Sequence, residues 1–195
     1  MKFVNGAHKV NQSTDHELML AVRDGDVIQL GVLFKRYQRP LYNFFLKLTG
    51  HPQTSEDLVQ EVFCRILKYR QTYRGEGRFT TWLFQVARNA RIDYFRKHHR
   101  HDEPGELGDY LVSSERNPDE ILTHKSEVHF LKEALNRLSP EKREVLLLSR
   151  FQGLKYEEIA QITNCKLGTI KARVFRALKE LSKIYMELAN EKNDV

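Results

Sequence analysis

The sequence predicts an all-α protein: two small helical domains joined by a flexible acidic linker, the C-terminal one a four-helix domain containing a helix-turn-helix. Three observations carry that expectation. Apolar residues recur at helical spacing through most of the 195 residues, and alternating β-branched runs do not stand out. Prolines and glycines are few, five and ten, so little interrupts the helical pattern. Residues 102–120, DEPGELGDYLVSSERNPDE, are mostly acidic, with Pro, Gly and Ser, and are too long for a loop inside one compact domain. The expected division is therefore residues 14–100, a linker at 101–121, and residues 122–188.

The first helix should open at Thr14, because Glu17 three residues on completes a capping-box pattern, and Gly25 should interrupt it. Leu30, Leu33, Phe34, Tyr37, Leu41, Phe44, Phe45 and Leu48 form the next helical stripe. Pro40 should kink or split that helix, and Gly50 and Pro52 should end it. Ser55 then reads as an N-cap, with Glu56 and Asp57 in the first turn. Leu58, Val59, Val62, Phe63, Ile66 and Leu67 make the buried face of that helix. Asp57, Gln60, Glu61, Arg65 and Lys68 are left outside, and periodicity alone reads them as a solvated face.

Tyr73 to Thr80, YRGEGRFT, is a glycine-containing loop, and a helix from Thr81 to about Arg100 should follow. Leu83, Val86, Ala87, Ala90 and Tyr94 should point inward, and Trp82, Asn89, Arg91, Arg96 and Lys97 outward. From Arg65 to His101 ten Arg or Lys residues are set against only Glu76 and Asp93, with aromatic residues interleaved. Cations that track phosphates, beside rings on which unstacked bases sit, suit single-stranded nucleic acid. Phe84 and Tyr94 read as core rings, whereas Phe79 and Trp82, at the loop–helix junction, read as rings for bases. The HHRH run at 98–101 has no matching cysteine or carboxylate set, so it reads as a basic helix end rather than a metal site.

Beyond the linker, a helix near Leu122 to Leu138 uses Val128, Leu131, Leu135 and Leu138. Ser139-Pro140-Glu141 is a helix start, with Val145, Leu146, Leu148 and Phe151 burying that helix and Gly153 stopping it. In LKYEEIAQITNCKLGTIKARVFRAL (154–178), Ile159, Ala160 and Ile162 face inward on one helix and Ile170, Val174, Ala177 and Leu178 on the next. Thr163, Asn164 and Cys165 form the corner, where Asn tolerates the left-handed conformation. Thr169, Lys171, Ala172, Arg173 and Arg176 turn outward. A short bracing helix before a helix with small and basic outward residues is the arrangement that enters the DNA major groove.

The net charge of +6 suits an anionic partner without choosing one. Two distant cysteines fit a reducing compartment rather than a disulfide framework, and neither a signal peptide nor a membrane-spanning run is expected. The expected location is cytoplasmic. No phosphate loop, nucleophile elbow or zinc-protease motif is found, so nothing supports an enzyme and no cofactor or metal is called for.

Three stretches in this order resemble a bacterial RNA polymerase sigma factor of the extracytoplasmic-function type. SEDLVQEVFCRILK (55–68) resembles the core-binding helix of sigma domain 2, and FTTWLFQVARNARIDYFRK (79–97) its promoter-melting and minus-ten segment. SPEKREVLLLSRFQGLKYEEIAQITNCKLGTIKARVFRALKEL (139–181) resembles domain 4, which reads the minus-thirty-five element. The resemblance spans about residues 14–100 and 122–188. It implies that Asp57, Gln60, Glu61 and Arg65 dock on core polymerase, at the clamp helices of β′, which reverses the solvated-face reading. It implies that Arg74, Arg78, Phe79, Trp82 and Asn89 handle a base flipped from the non-template strand of promoter DNA, with Arg88, Arg91, Arg96 and Lys97 on backbone or base edges nearby. It implies that Thr169, Lys171, Arg173 and Arg176 meet the major groove of the minus-thirty-five duplex and its phosphates, with Ala172 on the same outward side. Lys166, which departs from the family, reads as a further DNA contact because a bound phosphate would relieve its charge at the helix end. An anti-sigma factor that holds the two domains is the further partner implied, with the β subunit alongside β′.

Lys155 and Lys166 depart from the family's small capping residues. The first helix of the motif should lose its N-cap, and Lys166 should set a cation near a positive helix end. A stand-alone helix-turn-helix regulator would explain 154–178 but gives no reason for the DLVQEVF face or the aromatic-basic loop.

Overall fold

The structure is a computed structural model that describes residues 13–98 and 118–191, all of whose regular elements are helical. Backbone proximity separates two compact units, one carrying the helices before residue 99 and the other most of those after residue 117. The predicted linker therefore lies largely outside the described residues.

In the first unit α1 (Asp15–Arg23) starts as expected: the Glu17 amide donates to the Thr14 hydroxyl, and the Glu17 carboxylate accepts from the Thr14 amide. Gly25, at φ +115°, turns the chain into α2 (Gln29–Thr49). Pro40 lies inside α2, which continues through it as one helix rather than splitting. An interior proline costs about 3 kcal/mol. Leu33 before it and Leu41, Phe44 and Phe45 after it are all buried, and that apolar stripe keeps both halves on one core.

Gly50 ends α2 in the left-handed region at φ +76°. The next helix, α3 (Pro52–Lys68), begins three residues before the predicted Ser55 cap. Pro52 takes its first position, where the missing N–H is no loss. Ser55 is buried inside the helix, where its hydroxyl donates to the His51 carbonyl at 2.7 Å and lies 3.1 Å from the Thr49 hydroxyl. Leu58, Val59, Val62, Phe63 and Ile66 are buried as expected, but Leu67 is 39% exposed at the edge of the face. A short 3₁₀ turn (Arg70–Thr72) leads into the loop, and α4 (Phe79–His98) starts two residues earlier than predicted. Helices α1 to α4 pack in sequential pairs, and α1 also touches α4.

The second unit opens with α5 (Pro118–Arg137), four residues ahead of the predicted start at Leu122. Ala134, Leu135 and Leu138 are buried there, whereas Leu131 is largely exposed. Ser139 and Pro140 begin α6 (Pro140–Leu146), which widens into a π turn at Leu147–Phe151. That turn rotates the pattern by part of a residue step, so Leu147 and Leu148 are buried and Phe151 is 49% exposed instead of buried. Then come α7 (Tyr156–Thr163) and α8 (Leu167–Glu191), the latter packed on α5 and α6. A Lys142–Glu180 ion pair ties α6 to α8. Asn164, at φ +54°, makes the corner between α7 and α8.

The left-handed corner yields a stability prediction. Asn164→Ala should destabilise the protein by about 1 kcal/mol and Asn164→Gly by less, because alanine keeps the Cβ penalty but loses asparagine's local polar compensation, whereas glycine has no Cβ. Urea denaturation of the two variants checks the ranking.

Candidate nucleic-acid and protein interface

The outer side of α3 carries Asp57, Gln60 and Glu61, all exposed, beside the exposed Cys64. Asp57 accepts from the Gln53 amide at 3.2 Å, within the helix. Arg65 is not an outward residue in the same sense. Its Nε donates to Glu61 at 2.6 Å and its Nη1 to Asp93 of α4 at 2.7 Å, leaving its side chain 22% exposed. Asp93 also accepts from Arg96 at 2.9 Å. Four charges thus alternate from the α3 face to the α4 face: Glu61, Arg65, Asp93, Arg96. Asp93 was missed from the sequence; as the one acid among the cations of residues 79–97, it was the available signal. Its hydrogen bond from Arg65 holds the Asp93 carboxyl below the usual aspartate range.

The loop between the 3₁₀ turn and α4 is shaped by Gly75 and Gly77, at φ +76° and +77°. It exposes Arg74 and Arg78. Beneath it is an aromatic cluster. Phe79, expected as an exposed ring for bases, is only 4% exposed. It packs edge-on against Tyr37 at 5.4 Å and lies 6.1 Å from both Tyr73 and Trp82. Its place is the core, where it pins the first turn of α4 to α2 through Tyr37. Trp82 is half-buried, with its ring 5.2 Å from that of the buried Tyr73. The α1 helix reaches this cluster too. Asp15 accepts from Arg36 at 2.6 Å and from the Tyr37 hydroxyl, whose pKa is pushed up by burial first and by that hydrogen bond second.

On α4 the helical period places Trp82, Asn89 and Arg96 on one stripe, with Asp93 beside them. Asn89, Arg96 and Lys97 are exposed, and Arg88 is half-buried at the margin of that face. Arg91 falls about half a turn away from Trp82 and is half-buried, so it does not share the stripe. His98 ends α4, and the rest of the HHRH run lies outside the described residues.

In the second unit α7 and α8 form the predicted helix-turn-helix. Ile159, Ile162, Ile170, Val174 and Ala177 are buried; Ala160 and Leu178 are partly so. Thr169, Ala172 and Arg176 form one exposed stripe at i, i+3 and i+7, with Lys171 exposed to one side. Arg173 is half-buried at the other margin. Lys166 occupies the N-cap position of α8, where its carbonyl accepts from the Thr169 and Ile170 amides. The α7 N-terminus is not left bare by Lys155, because the Lys155 amide donates to the Glu158 carboxylate at 2.7 Å. That is the backbone half of a capping box, made without a capping side chain.

Residues 33–101 match the family model for sigma-70 region 2, and residues 131–181 match that for sigma-70 region 4. The chain is 32% identical over 160 residues to the extracytoplasmic-function (ECF) RNA polymerase sigma factor SigM of Bacillus subtilis, covering 82% of this chain and 96% of that protein. This chain belongs to the ECF sigma factors. It is also 25% identical over 191 residues to the RNA polymerase sigma-H factor of Pseudomonas aeruginosa, spanning 93% and 99% of the two chains. Among solved structures, the sigma factor RpoE of Bartonella quintana, in complex with the anti-sigma factor NepR, superposes with a TM-score of 0.65. The identity is 25%, over 79% of this chain and 94% of that one. CnrH, in complex with the cytosolic domain of CnrY, gives a TM-score of 0.66 at 20% identity over 87% and 96% of the chains, a likeness of fold. Among the described residues, no helix of this sigma factor is long and apolar enough to cross a membrane.

The charge chain gives a pH-dependent prediction. Asp93 has a lowered pKa in the folded protein, so its contribution is full above the usual aspartate value and is lost as pH falls through the lowered value. Asp93→Asn should lower stability by up to about 1 kcal/mol near pH 7, since the pairs are partly exposed. The gap between variant and wild type should close in acid. Thermal melts from neutral pH downward check both size and direction.

Proposed function

We propose that this sigma factor binds core RNA polymerase through the α3 face and directs initiation at promoters read in two places. Asp57, Gln60 and Glu61 meet the clamp helices of β′, with Arg65 held in position by Glu61 and Asp93. The first unit handles the minus-ten element. Arg74 and Arg78 on the loop, Trp82 at its base, and Asn89, Arg88, Arg96 and Lys97 along α4 engage the melted non-template strand. Phe79 acts from below as the wedge that fixes the loop, not as a stacking ring. Arg91, on another side of α4, is left to backbone contacts outside that stripe. The second unit reads the minus-thirty-five duplex with Thr169, Ala172 and Arg176 toward base edges and Lys166, Lys171 and Arg173 toward phosphates. The polymerase supplies the chemistry, so the protein itself is not an enzyme and works where the polymerase is, in the cytoplasm.

The observation that carries this reading is the juxtaposition in the first unit: an exposed acidic helix face adjoins, through Arg65 and Asp93, a basic-aromatic face under a double-glycine loop. A stand-alone repressor has no use for the first of these. Control by an anti-sigma factor is part of the proposal, supported by the complex of the B. quintana relative with NepR.

The whole reading is tested by run-off transcription with purified core polymerase on a promoter library, with start sites sequenced; failure to bind core or to start transcription removes it. Two variants test its parts. Asp57→Lys should weaken core binding roughly tenfold or more while leaving circular dichroism and melting temperature near wild type, because its side chain is exposed. Glu61→Lys should weaken it as much and also lower the melting temperature slightly, because it loses the pair with Arg65. Trp82→Ala should reduce permanganate reactivity of the minus-ten thymines several-fold at a promoter that stays occupied, since stacking on one base is worth about 1–3 kcal/mol.

A further inference from the structure

The loop that exposes Arg74 and Arg78 rests on a residue 57 positions upstream of Tyr73. His16, in the first turn of α1, shares a hydrogen bond of 3.0 Å between its Nδ1 and the Tyr73 hydroxyl. The two rings meet edge to face at 5.9 Å. The same imidazole lies under Gly75: a Cβ there would come within 2.8 Å of His16 Cε1. Gly75 is thus glycine for two reasons, its positive φ and the ring beneath it. Tyr73 in turn lies 5.2 Å from Trp82. His16 therefore contacts the entry of the loop from below, and one further ring links it to the tryptophan. It lies outside residues 33–101, the span matched by sigma-70 region 2.

We propose that His16 is a positioning residue for strand opening: α1, through the His16–Tyr73 bond and the seat under Gly75, sets the loop and Trp82 in the form that receives the melted strand. The proposal rests on the reading of this loop as the minus-ten contact. Without the imidazole, Tyr73 loses its hydroxyl partner and the loop its floor. Arg74, Arg78 and Trp82 then have to be ordered during opening instead of beforehand.

Trp82 is the only tryptophan in the chain, so its fluorescence reads the latch in the free protein, without polymerase or DNA. His16→Ala, His16→Asn, Tyr73→Phe and the Ala/Phe double variant should be compared, with Trp82→Ala as the control for the parent reading. His16→Ala and Tyr73→Phe should each shift Trp82 emission and increase its quenching by iodide. Each should also slow permanganate-detected opening roughly five- to tenfold, the scale of one hydrogen bond, at unchanged core affinity and duplex occupancy. The double variant should be no worse than the poorer single, and His16→Asn, which can restore a polar atom near Nδ1, should recover much of the loss. Unaltered Trp82 fluorescence in His16→Ala overturns the latch. Altered fluorescence with wild-type opening overturns its role in melting, and so does slowed opening that merely tracks lost core affinity or lost folded protein. If Trp82→Ala itself opens promoters normally, the parent reading of the loop is what fails, and the fluorescence still decides whether the latch exists.

Discussion

The burial of Phe79 is the constraint on which the first unit depends. Fully burying such a ring contributes about 2–3 kcal/mol. Here the same ring meets Tyr37 of α2, Tyr73 at the loop's entry and Trp82 one turn along α4. One side chain therefore registers the loop's entry and the start of α4 against α2, 42 residues upstream. Moving Phe79 out to serve as a stacking platform would forfeit that registration. Arg74 and Arg78 stay exposed on the loop while the ring beneath them is buried.

A second constraint concerns how charge is stored. A basic face that binds nucleic acid repels itself in the free protein. Asp93 lies where it lowers that repulsion, accepting from Arg65 and Arg96 together. The cost is that Arg96 would meet DNA already partnered, so a phosphate would have to compete with a carboxylate. Partial exposure keeps that competition shallow, within about 1 kcal/mol. Because Arg65 is shared with Glu61, a protein bound on the α3 face and a strand bound on α4 would draw on one set of ion pairs.

Much of this was legible in the residues. The Thr14–Glu17 box, the Gly50 stop, the inward face of α3 and the Asn164 corner follow from local chemistry, and the structure has them. The misreadings share a physical origin: tertiary packing chose between two local signals. Ser55 and Pro52 both announce a helix start, and the chain used Pro52 because the Ser55 hydroxyl is taken by Thr49 and His51 in the interior. Pro40 was outvoted by the apolar stripe on either side. Phe151 left the core because a π turn shifts the period, which no regular 3.6-residue pattern reveals. At the site, exposed polar residues were legible from periodicity; Asp93 and His16 were not, since each acts through contacts 28 and 57 residues away in sequence.

The helix-turn-helix shows the complementary economy. Its outward stripe of Thr169, Ala172 and Arg176 is short, and two of the three side chains are small. One well-placed arginine pair with guanine is worth about 1–3 kcal/mol of discrimination, so this stripe alone would be a modest reader. Lys166 sits at the N-cap of α8, where a cation at the positive helix end is disfavoured by some tenths of a kcal/mol in the free protein. A phosphate at that end would satisfy the amides and the ammonium together. If Lys166 contacts DNA as proposed, part of the affinity would come from relieving an unfavourable contact, which favours phosphate of any sequence. On the proposed reading, discrimination would then come from elsewhere: from the bases of the melted strand at Trp82 and Asn89, and from the polymerase that holds both readers on one promoter.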